Sequence, residues 1–554
     1  MQFIFKSKFN FWLAISIAVA ILFSLAGLKL AFHSPYTIQD DARQHVFWMQ
    51  QKCDRDLFNN DLIADYFSSV APLGYKNLYL LVNNLGLEPF LFNKILPVIM
   101  GIVTTIHLFL LCLEIFPVPF AGFMATLLLN QNLWMLDDLV SGTPRAFFYP
   151  LFVGFIYYLL RQRLLPCLLF IALQGLFYPH VVLISAVILI ISLIRSKAIA
   201  FERVNYSFYL IALFLAIAIL AIYKLQTAEF SEVITLKEAK LLPEFYAGGR
   251  NAFFSKNPLE FWLYGKRSGF FPYEWQYVLL CSFGLCLPIL NLYPRRFPLV
   301  TKINKQVEII WQILFASLLL FTLAHLLLFQ LHLPSRYSQH TLRIIIALID
   351  GIAIAIILNS IANKITRQKK ILKPLITAVV IASLLYPTYA VQAYPYRLGY
   401  VTGKATRLYK FLQQQPKNSL IASLSKESDF IPSFAQRSVL VAEEYSIPYH
   451  QDYYQQIRQR AKDLIKAEYS DDPEEVKQFI REYDLDLWLL DKNTFTVEYL
   501  KSNGWLMQFQ PEANSAIAIL EQSKRSILST KINSCQIFQE AELILLDAQC
   551  IIQE

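Results

Sequence analysis

Long apolar runs dominate this sequence and constrain its fold more than any other feature. A helix that crosses a bilayer needs roughly 20 mainly apolar residues. Over 554 residues, 56% are hydrophobic and only 16% are charged, which excludes an ordinary soluble domain and a disordered chain. We predict a polytopic all-α membrane protein with about 11 transmembrane helices, expected at 10–32, 92–116, 118–136, 145–160, 164–178, 179–194, 206–224, 275–293, 309–331, 341–361 and 371–393.

Lysine and arginine are concentrated in alternate loops, which predicts the orientation of the chain. With a cytoplasmic N-terminus, the inner segments hold most of the lysines and arginines, whereas the short outer loops hold little more than Arg145 and Arg336. The net charge of +9 is then explained by cytoplasmic loops. We therefore predict contact with membrane lipid and no nucleic-acid partner.

This orientation places two long loops on the outer face, at about 33–90 and 225–274, together with all residues after 394. We predict two domains. Residues 1–394 form the membrane domain with those outer loops, and residues 395–554 form an extracytoplasmic soluble α/β domain. In the second, Asp472-Pro473 is typical of a helix start, and we expect strands at 420–424, 438–443, 485–490 and 516–520.

Cysteine and glycosylation patterns bear on the compartment. Cys535 and Cys550 fall in the outer region, where they could form a disulfide or remain two buried thiols. The outer surface has no Asn-x-Ser/Thr sequon, since Asn205 lies on the predicted cytoplasmic side. This favours a bacterial inner membrane over the endoplasmic reticulum.

Two adjacent carboxylates, Asp40 and Asp41, follow the first apolar run by a few residues, with His45 just beyond. Adjacent like charges raise one another's pKa, which helps a carboxylate to accept a proton near neutral pH. The same residues could simply begin an interfacial helix. A catalytic acid motif and a helix cap therefore both remain open.

A second acidic pair, Asp137 and Asp138, lies on the same predicted face, and Arg145 begins the next helix. Two acidic pairs at one membrane depth are costly and point to function. They could support a catalytic base or hold a divalent cation. Arg145 could bind an anion or pair with these aspartates.

Basic residues on the outer face are the exceptions to the positive-inside bias. Arg336 could bind a phosphate, with Tyr337 adding a hydrogen bond, or could reach lipid headgroups. The second long loop adds Arg250, Lys266 and Arg267 among aromatic residues, a composition suited to a bound lipid phosphate.

One carboxylate lies in the middle of a predicted span. Asp350 marks either an ion pathway or a hydrogen bond to a neighbouring helix. We favour the hydrogen bond, because no other acids line up with it.

The layout resembles the GT-C class of integral-membrane glycosyltransferases, in a bacterial branch of unassigned substrate. Asp40-Asp41 matches the position of the catalytic acidic motif of that class, and Asp137-Asp138 matches its second acidic position. Pro334-Ser-Arg336-Tyr337 is similar to the late arginine loop that meets the donor phosphate, and 431–444 is similar to outer-domain segments.

The resemblance implies transfer of a hexosyl or pentosyl group from a polyprenyl-phosphate sugar to a glycan, lipid or protein acceptor on the outer face, with inversion. It implies Asp40 or Asp41 as base, Asp137, Asp138 and His45 as supporting groups, and Arg336 with Arg145 or a basic residue of the second long loop on the phosphate. The alternatives are a ligase that uses a polyprenyl-diphosphate glycan, and a transporter or lipid flippase. No cofactor is certain, and a divalent cation could be required.

Overall fold

The computed structural model describes residues 9–198, 206–226, 230, 233–272, 283–364 and 398–553. The predicted span at 371–393, most of the lysine-rich segment before it and the first part of the span at 275–293 lie outside the described residues.

Long apolar helices form the membrane part of the protein. Within the described residues, five helices are long and apolar enough to cross a membrane, and four apolar helices are shorter. The helices before residue 365 are α1 (Phe9–Ala31), α2 (Asp40–Val46), α3 (Leu62–Val70), α4 (Leu73–Asn84), α5 (Pro89–Ile115), α6 (Pro119–Leu133), α7 (Asp137–Val140), α8 (Phe148–Leu160), α9 (Leu164–Phe177), α10 (His180–Ala198), α11 (Tyr206–Gln226), α12 (Leu236–Ala239), α13 (Leu287–Leu292), α14 (Ile309–Leu326) and α15 (Ser335–Lys364).

The observed helices coincide with most of the predicted spans, with the largest differences around α14 and α15. α14 ends at Leu326 rather than at 331, and α15 begins at Ser335 rather than at 341. The residues between them form an irregular loop. Pro334 directly precedes α15, so Arg336 lies in the first turn of that helix.

Small residues let the membrane helices approach closely, as is usual where lipid supplies no hydrophobic drive between helices. The buried face of α1 repeats every three or four residues: Trp12, Ser16, Ala20, Ser24, Gly27 and Ala31. The hydroxyl of Thr126 on α6 donates to Ser16 on α1 over 3.0 Å. α15 packs on α6, where Gly351 faces Ala125 and Ala121.

Asp350 is buried inside this bundle and accepts a hydrogen bond from the backbone N–H of Gly284 over 2.5 Å. The expected hydrogen bond to a neighbouring segment is therefore present.

A five-stranded mixed sheet forms the last part of the chain. Its order is β4 (Ser438–Val439), β3 (Leu420–Ser423), β5 (Leu487–Asp491), β7 (Leu543–Asp547) and β6 (Gln536–Glu540). β4, β3 and β5 run parallel to one another. β7 pairs antiparallel with both of its neighbours, β5 and β6. The accompanying helices are α16 (Thr406–Gln413), α17 (Ile431–Phe434), α18 (Gln451–Tyr469), α19 (Pro473–Tyr483), α20 (Val497–Ser502), α21 (Glu512–Glu521), α22 (Ile527–Cys535) and α23 (Ala548–Gln553).

Three of the four predicted strands are present, and the fourth is wrong. Residues 516–520 belong to helix α21, whose buried residues Ala513, Ala516 and Ile517 follow a helical spacing. The predicted helix start at Asp472 is confirmed, since its side chain accepts from the Glu474 N–H. Cys535 and Cys550 form a disulfide.

The first outer loop and the last part of the chain share one hydrophobic core. Phe47, Phe58 and Phe67 from the loop lie in the same buried cluster as Tyr445 and Tyr453, and the rings of Tyr66 and Tyr453 stack at 3.6 Å. A short antiparallel ladder also joins β1 (Thr37–Gln39) to β2 (Tyr400–Thr402). The predicted domain boundary at 394 stays a prediction, and these contacts cross it.

Replacing Gly351 with alanine should destabilise the helix bundle, because the added Cβ would lie 2.6 Å from the backbone nitrogen of Ala125. We expect a loss of about 1–3 kcal/mol, typical of overpacking, seen as a lower thermal midpoint in detergent. Gly101→Ala is the matched control, since its Cβ would meet nothing closer than 3.7 Å. Equal midpoints for the two variants would contradict this packing.

Candidate active site

Backbone hydrogen bonds to residues near position 400 hold the first acidic pair in place. β1 ends at Gln39, and Asp40 and Asp41 form the first turn of α2. The Asp40 N–H donates to the carbonyl of Gly399 over 2.8 Å. Gly399 has φ +70°, and a Cβ there would lie 3.5 Å from that of Asp137 and 3.7 Å from that of Asp40. Neither aspartate caps the helix.

The second acidic pair begins the one-turn helix α7, and the loop after it is fixed by Asn93 of α5. The Asn93 amide donates to the carbonyl of Ser141 over 2.8 Å. Gly142 adopts φ +59°, and a Cβ at this position would collide with the Asn93 amide at 2.5 Å. The tight Ser-Gly-Thr-Pro turn therefore brings Arg145 back beside Asp137 and Asp138.

Arg145 joins the two acidic pairs. Its guanidinium lies 2.5 Å from a carboxylate oxygen of Asp41, 3.5 Å from Asp137 and 3.2 Å from Asp138. The pairing alternative for Arg145 is thus the observed one. The two acidic pairs and Arg145 form a single cluster, which we call the arginine-145 cluster.

Helix α15 adds three side chains to this cluster, those of Arg336, His340 and Arg343. Arg343 donates to Asp138 and, over 2.8 Å, to the hydroxyl of Tyr149. His340 is 3.8 Å from Asp138, and Arg336 is 3.7 Å from the same carboxylate. Residues 336, 340 and 343 lie on one face of a helix, so the late arginine loop meets the second acidic pair.

Exposure separates the members of the cluster. The side chain of Asp138 is 6% exposed, whereas those of Asp40 and Asp41 are 44% and 33% exposed and that of Arg336 is 22% exposed. Asp138 is therefore an internal anchor. Asp40, Asp41 and Arg336 are accessible to a ligand.

The arginines keep the aspartates ionised. Burial by itself raises the pKa of Asp138, but Arg343 and Arg145 outweigh it and hold that pKa well below its usual value. Burial likewise opposes the charge of Asp41, yet Arg145 and Lys266 lower its pKa. Burial lowers the pKa of His45 to about 4, so this imidazole is neutral at pH 7.

A second group of charges surrounds Asp40. Arg43, one turn along α2, pairs with Asp40, lies 2.7 Å from Glu444 and is 3.7 Å from Asp429. Arg250 of the second long loop lies 2.9 Å from the other carboxylate oxygen of Glu444. We call these five residues the arginine-43 cluster. It links the first acidic pair to the segment at 429–444.

The remaining predicted phosphate-binding residues differ in availability. Lys266 is exposed, and its charge contributes to the low pKa of Asp41. Arg267 donates to Asn251 over 3.0 Å, and Arg250 donates to the backbone carbonyls of Glu443 and Glu444.

Tyr337 faces away from a ligand. Its ring is buried, and its hydroxyl donates to the carbonyl of Leu331 over 2.8 Å. A buried hydroxyl whose proton is committed to a carbonyl does not donate to a phosphate, so we do not include Tyr337 in the proposed site.

A divalent cation would need carboxylates that are not already neutralised. Within the described ranges, no group of three or more His, Cys, Asp or Glu side chains is arranged to hold a metal ion. The guanidinium of Arg145 occupies the space between Asp41, Asp137 and Asp138. The donor set therefore suits an arginine better than a metal, and we derive no step through a metal.

Several residues of the site have roles that the sequence did not assign. Arg343 could have been found from its spacing with Arg336 on one helix. Arg43 stands next to the acidic motif. Asp429 and Glu444 lack any local signal, because only the tertiary fold brings them to Arg43.

No protein-family model and no curated protein matches this sequence. Among solved structures, the oligosaccharyltransferase of Archaeoglobus fulgidus tethered with an acceptor peptide has a TM-score of 0.50 and 10% identity, over 90% of this chain and 72% of that one. The same values hold for Archaeoglobus fulgidus AglB in complex with an inhibitory peptide and a dolichol-phosphate. ArnT from Cupriavidus metallidurans bound to undecaprenyl phosphate has a TM-score of 0.49 and 9% identity, over 97% and 98% of the two chains.

The likeness to the archaeal oligosaccharyltransferase is one of fold, and the GT-C resemblance expected from the sequence is confirmed at that level.

Replacing Arg343 with methionine should destabilise the protein, because it removes the closest cation from the buried Asp138 carboxylate. Breaking a buried pair in this way costs up to roughly 3–5 kcal/mol, measurable as a lower thermal midpoint in detergent. Arg336→Met should have a much smaller effect, since Arg336 is 3.7 Å from Asp138 and partly exposed. Equal losses would show that Arg343 is not the main anchor.

Proposed function

We propose that this protein, which has the GT-C fold, is a membrane glycosyltransferase that moves one sugar from a polyprenyl-phosphate donor to an acceptor on the extracytoplasmic face. The observation that carries the proposal is the meeting of two accessible carboxylates, Asp40 and Asp41, with the accessible Arg336 around one cluster. A base and a phosphate-binding cation are the two groups that such a transfer needs.

Asp40 is the proposed base. Asp41 is committed to Arg145, which lowers its pKa and weakens it as a base. Asp40 is the more exposed of the two, and within the described residues only its Oδ1 is hydrogen-bonded, which leaves Oδ2 for the acceptor.

The proposed reaction inverts the sugar. Oδ2 of Asp40 takes the proton of the acceptor hydroxyl while that oxygen forms a bond to the anomeric carbon. The bond from the anomeric carbon to the phosphate oxygen breaks on the opposite face, and polyprenyl phosphate leaves with the electron pair and one additional negative charge. Asp41, Asp137 and Asp138 fix Arg145 and the loop beside the base, and neutral His45 supports them.

Little of the positive charge at the site is free to bind a donor. Arg145 and Arg343 are matched to the aspartates, and Arg43 and Arg250 are matched to other carboxylates. Among the described site residues this leaves Arg336 and Lys266 for the donor. These two cations balance the charge of a monophosphate or of a diphosphate donor, so the ligase stays the alternative that a comparison of the two donors decides.

The structure of AglB contains a dolichol-phosphate. This supports a lipid-phosphate donor for a protein of the same fold. We place this protein in the inner membrane of a bacterium, with its N-terminus in the cytoplasm, as part of the machinery of the cell envelope. The sugar is a hexose or a pentose, and the acceptor is a glycan, a lipid or a protein.

Transport is the less supported function. A transporter would use Asp350 as a charge along a central path. Asp350 is instead 1% exposed and accepts a hydrogen bond from the Gly284 backbone, which is a structural role.

The test of the base is transfer by purified protein in detergent or proteoliposomes, with a radiolabelled polyprenyl-phosphate sugar. Asp40→Asn should lower kcat by about 10²–10⁴-fold, the usual contribution of a general base. Asp41→Asn should lower it less. Asp56→Asn, an exposed aspartate of the same loop that pairs with Lys417, is the control. Wild-type rates for both variants would remove the proposed base.

Arg336→Met should lower kcat/KM for the donor by roughly tenfold to hundredfold, because a hydrogen bond to a charged group contributes about 1.5–3 kcal/mol. Arg336→Lys should recover part of the loss. Arg267→Met is the matched control, since its guanidinium is bonded to Asn251 and the Ala252 carbonyl. A larger loss in the Arg267 variant would place the phosphate elsewhere, and faster transfer from a diphosphate donor would favour the ligase.

A further inference from the structure

Two buried carboxyl groups next to Asp40 have no part in the proposed reaction. Asp429 and Glu444 come from the last part of the chain, and both lie against Arg43 of helix α2. Asp429 also accepts a hydrogen bond from the Glu444 N–H over 2.8 Å. The two carboxyls and Arg43 are therefore parts of one connected network.

Arg43 is fixed from several sides. Its guanidinium pairs with Asp40, lies 2.7 Å from Glu444 and stands 4.7 Å above the ring of Phe430. Its side chain is 6% exposed. Glu444 is itself fixed, because Gln44 donates to it and Arg250 pairs with it at 2.9 Å. Hence the position of Arg43, and with it the side chain of Asp40, depends on the last part of the chain.

Charge in this network is unbalanced. Within the described residues, three carboxyls (Asp40, Asp429 and Glu444) share two guanidiniums (Arg43 and Arg250), and Glu443 and Tyr445 stand close by. Burial raises the pKa of Glu444 to about 8 and that of Asp429 to about 6, against the opposing effect of the two arginines. As the pH falls, Glu444 therefore takes up a proton near pH 8, and Asp429 takes one up near pH 6.

We propose that Glu444 and Asp429 are positioning residues for Asp40, which they act on through Arg43. They hold the guanidinium so that it binds Oδ1 of Asp40 and leaves Oδ2 facing the acceptor. The inference rests on the proposed function, in which Asp40 accepts the acceptor proton.

The variant that tests this inference is Glu444→Gln, which keeps the shape of the side chain and removes its charge. Arg43 then interacts more strongly with Asp40. We expect kcat to fall roughly tenfold to hundredfold, as for a misplaced reacting group, while KM for the donor stays near the wild-type value. The loss should be greatest above pH 8, where Glu444 is ionised, and should shrink at lower pH, where Glu444 of the wild-type protein is itself protonated. Glu444→Asp should restore part of the rate.

Glu468→Gln is the matched control. Glu468 is another buried glutamate of the last part of the chain, and it accepts hydrogen bonds from Trp488 and Thr494 rather than from Arg43. It should leave both kcat and the pH profile unchanged. Asp429→Asn is the second test variant, to be used if Glu444→Gln does not give folded protein, and its loss of kcat should shrink below pH 6, where Asp429 of the wild-type protein is protonated.

The outcomes separate the inference from the function on which it rests. A Glu444→Gln protein with the wild-type kcat and pH profile, beside an inactive Asp40→Asn protein, would overturn the positioning role and leave the proposed function standing. A loss of kcat that is equally large at every pH would show a structural role only, and would also overturn it. Wild-type rates in both Asp40→Asn and Asp41→Asn would instead overturn the proposed function.

Discussion

The contact between Arg145 and three aspartates is the interaction on which the candidate site depends. Carboxylates from two loops repel one another, and partial burial weakens the screening of their repulsion by water. The guanidinium of Arg145 lies 2.5–3.5 Å from the carboxylates of Asp41, Asp137 and Asp138. It attracts all three and so offsets their mutual repulsion. Arg343 then supplies the second positive charge that the most buried aspartate needs. Without these two arginines, the acidic motifs would have to separate or take up protons.

A second arginine shared by several carboxylates lies on the other side of Asp40, but here the arginine comes from the first long loop. This arginine, Arg43, is held by carboxylates from the last part of the chain. The two neighbouring aspartates therefore face different surroundings: Asp41 faces the membrane helices, and Asp40 faces the sheet-bearing region. Two adjacent, chemically identical residues thus have different ion-pair partners, Arg145 for Asp41 and Arg43 for Asp40.

Sequence patterns predicted the parts of the structure that depend on local composition. The apolar runs predicted most of the membrane helices. The acidic pairs and Arg336 were expected on one face, and in the structure Arg145 contacts Asp41, Asp137 and Asp138 while Arg336 lies 3.7 Å from Asp138. Residues 516–520 were assigned as a strand because a run of five mostly apolar residues is too short to distinguish the period of a helix from that of a strand. Asp429 and Glu444 were missed because their importance comes only from contact with Arg43. Tyr337 was misjudged because the sequence does not show which way a hydroxyl points.

The ladder between β1 and β2 has a consequence for how the protein is made. Gln39 bonds to Leu398 across 359 positions of sequence, and Asp40 bonds to Gly399. During synthesis, the acidic motif leaves the ribosome long before the strand that holds it. The site therefore stays unassembled while the helices are inserted one after another, and it is completed only when the chain beyond them has emerged. A partly translated chain in the membrane therefore carries the acidic pairs without the hydrogen bond from Asp40 to Gly399.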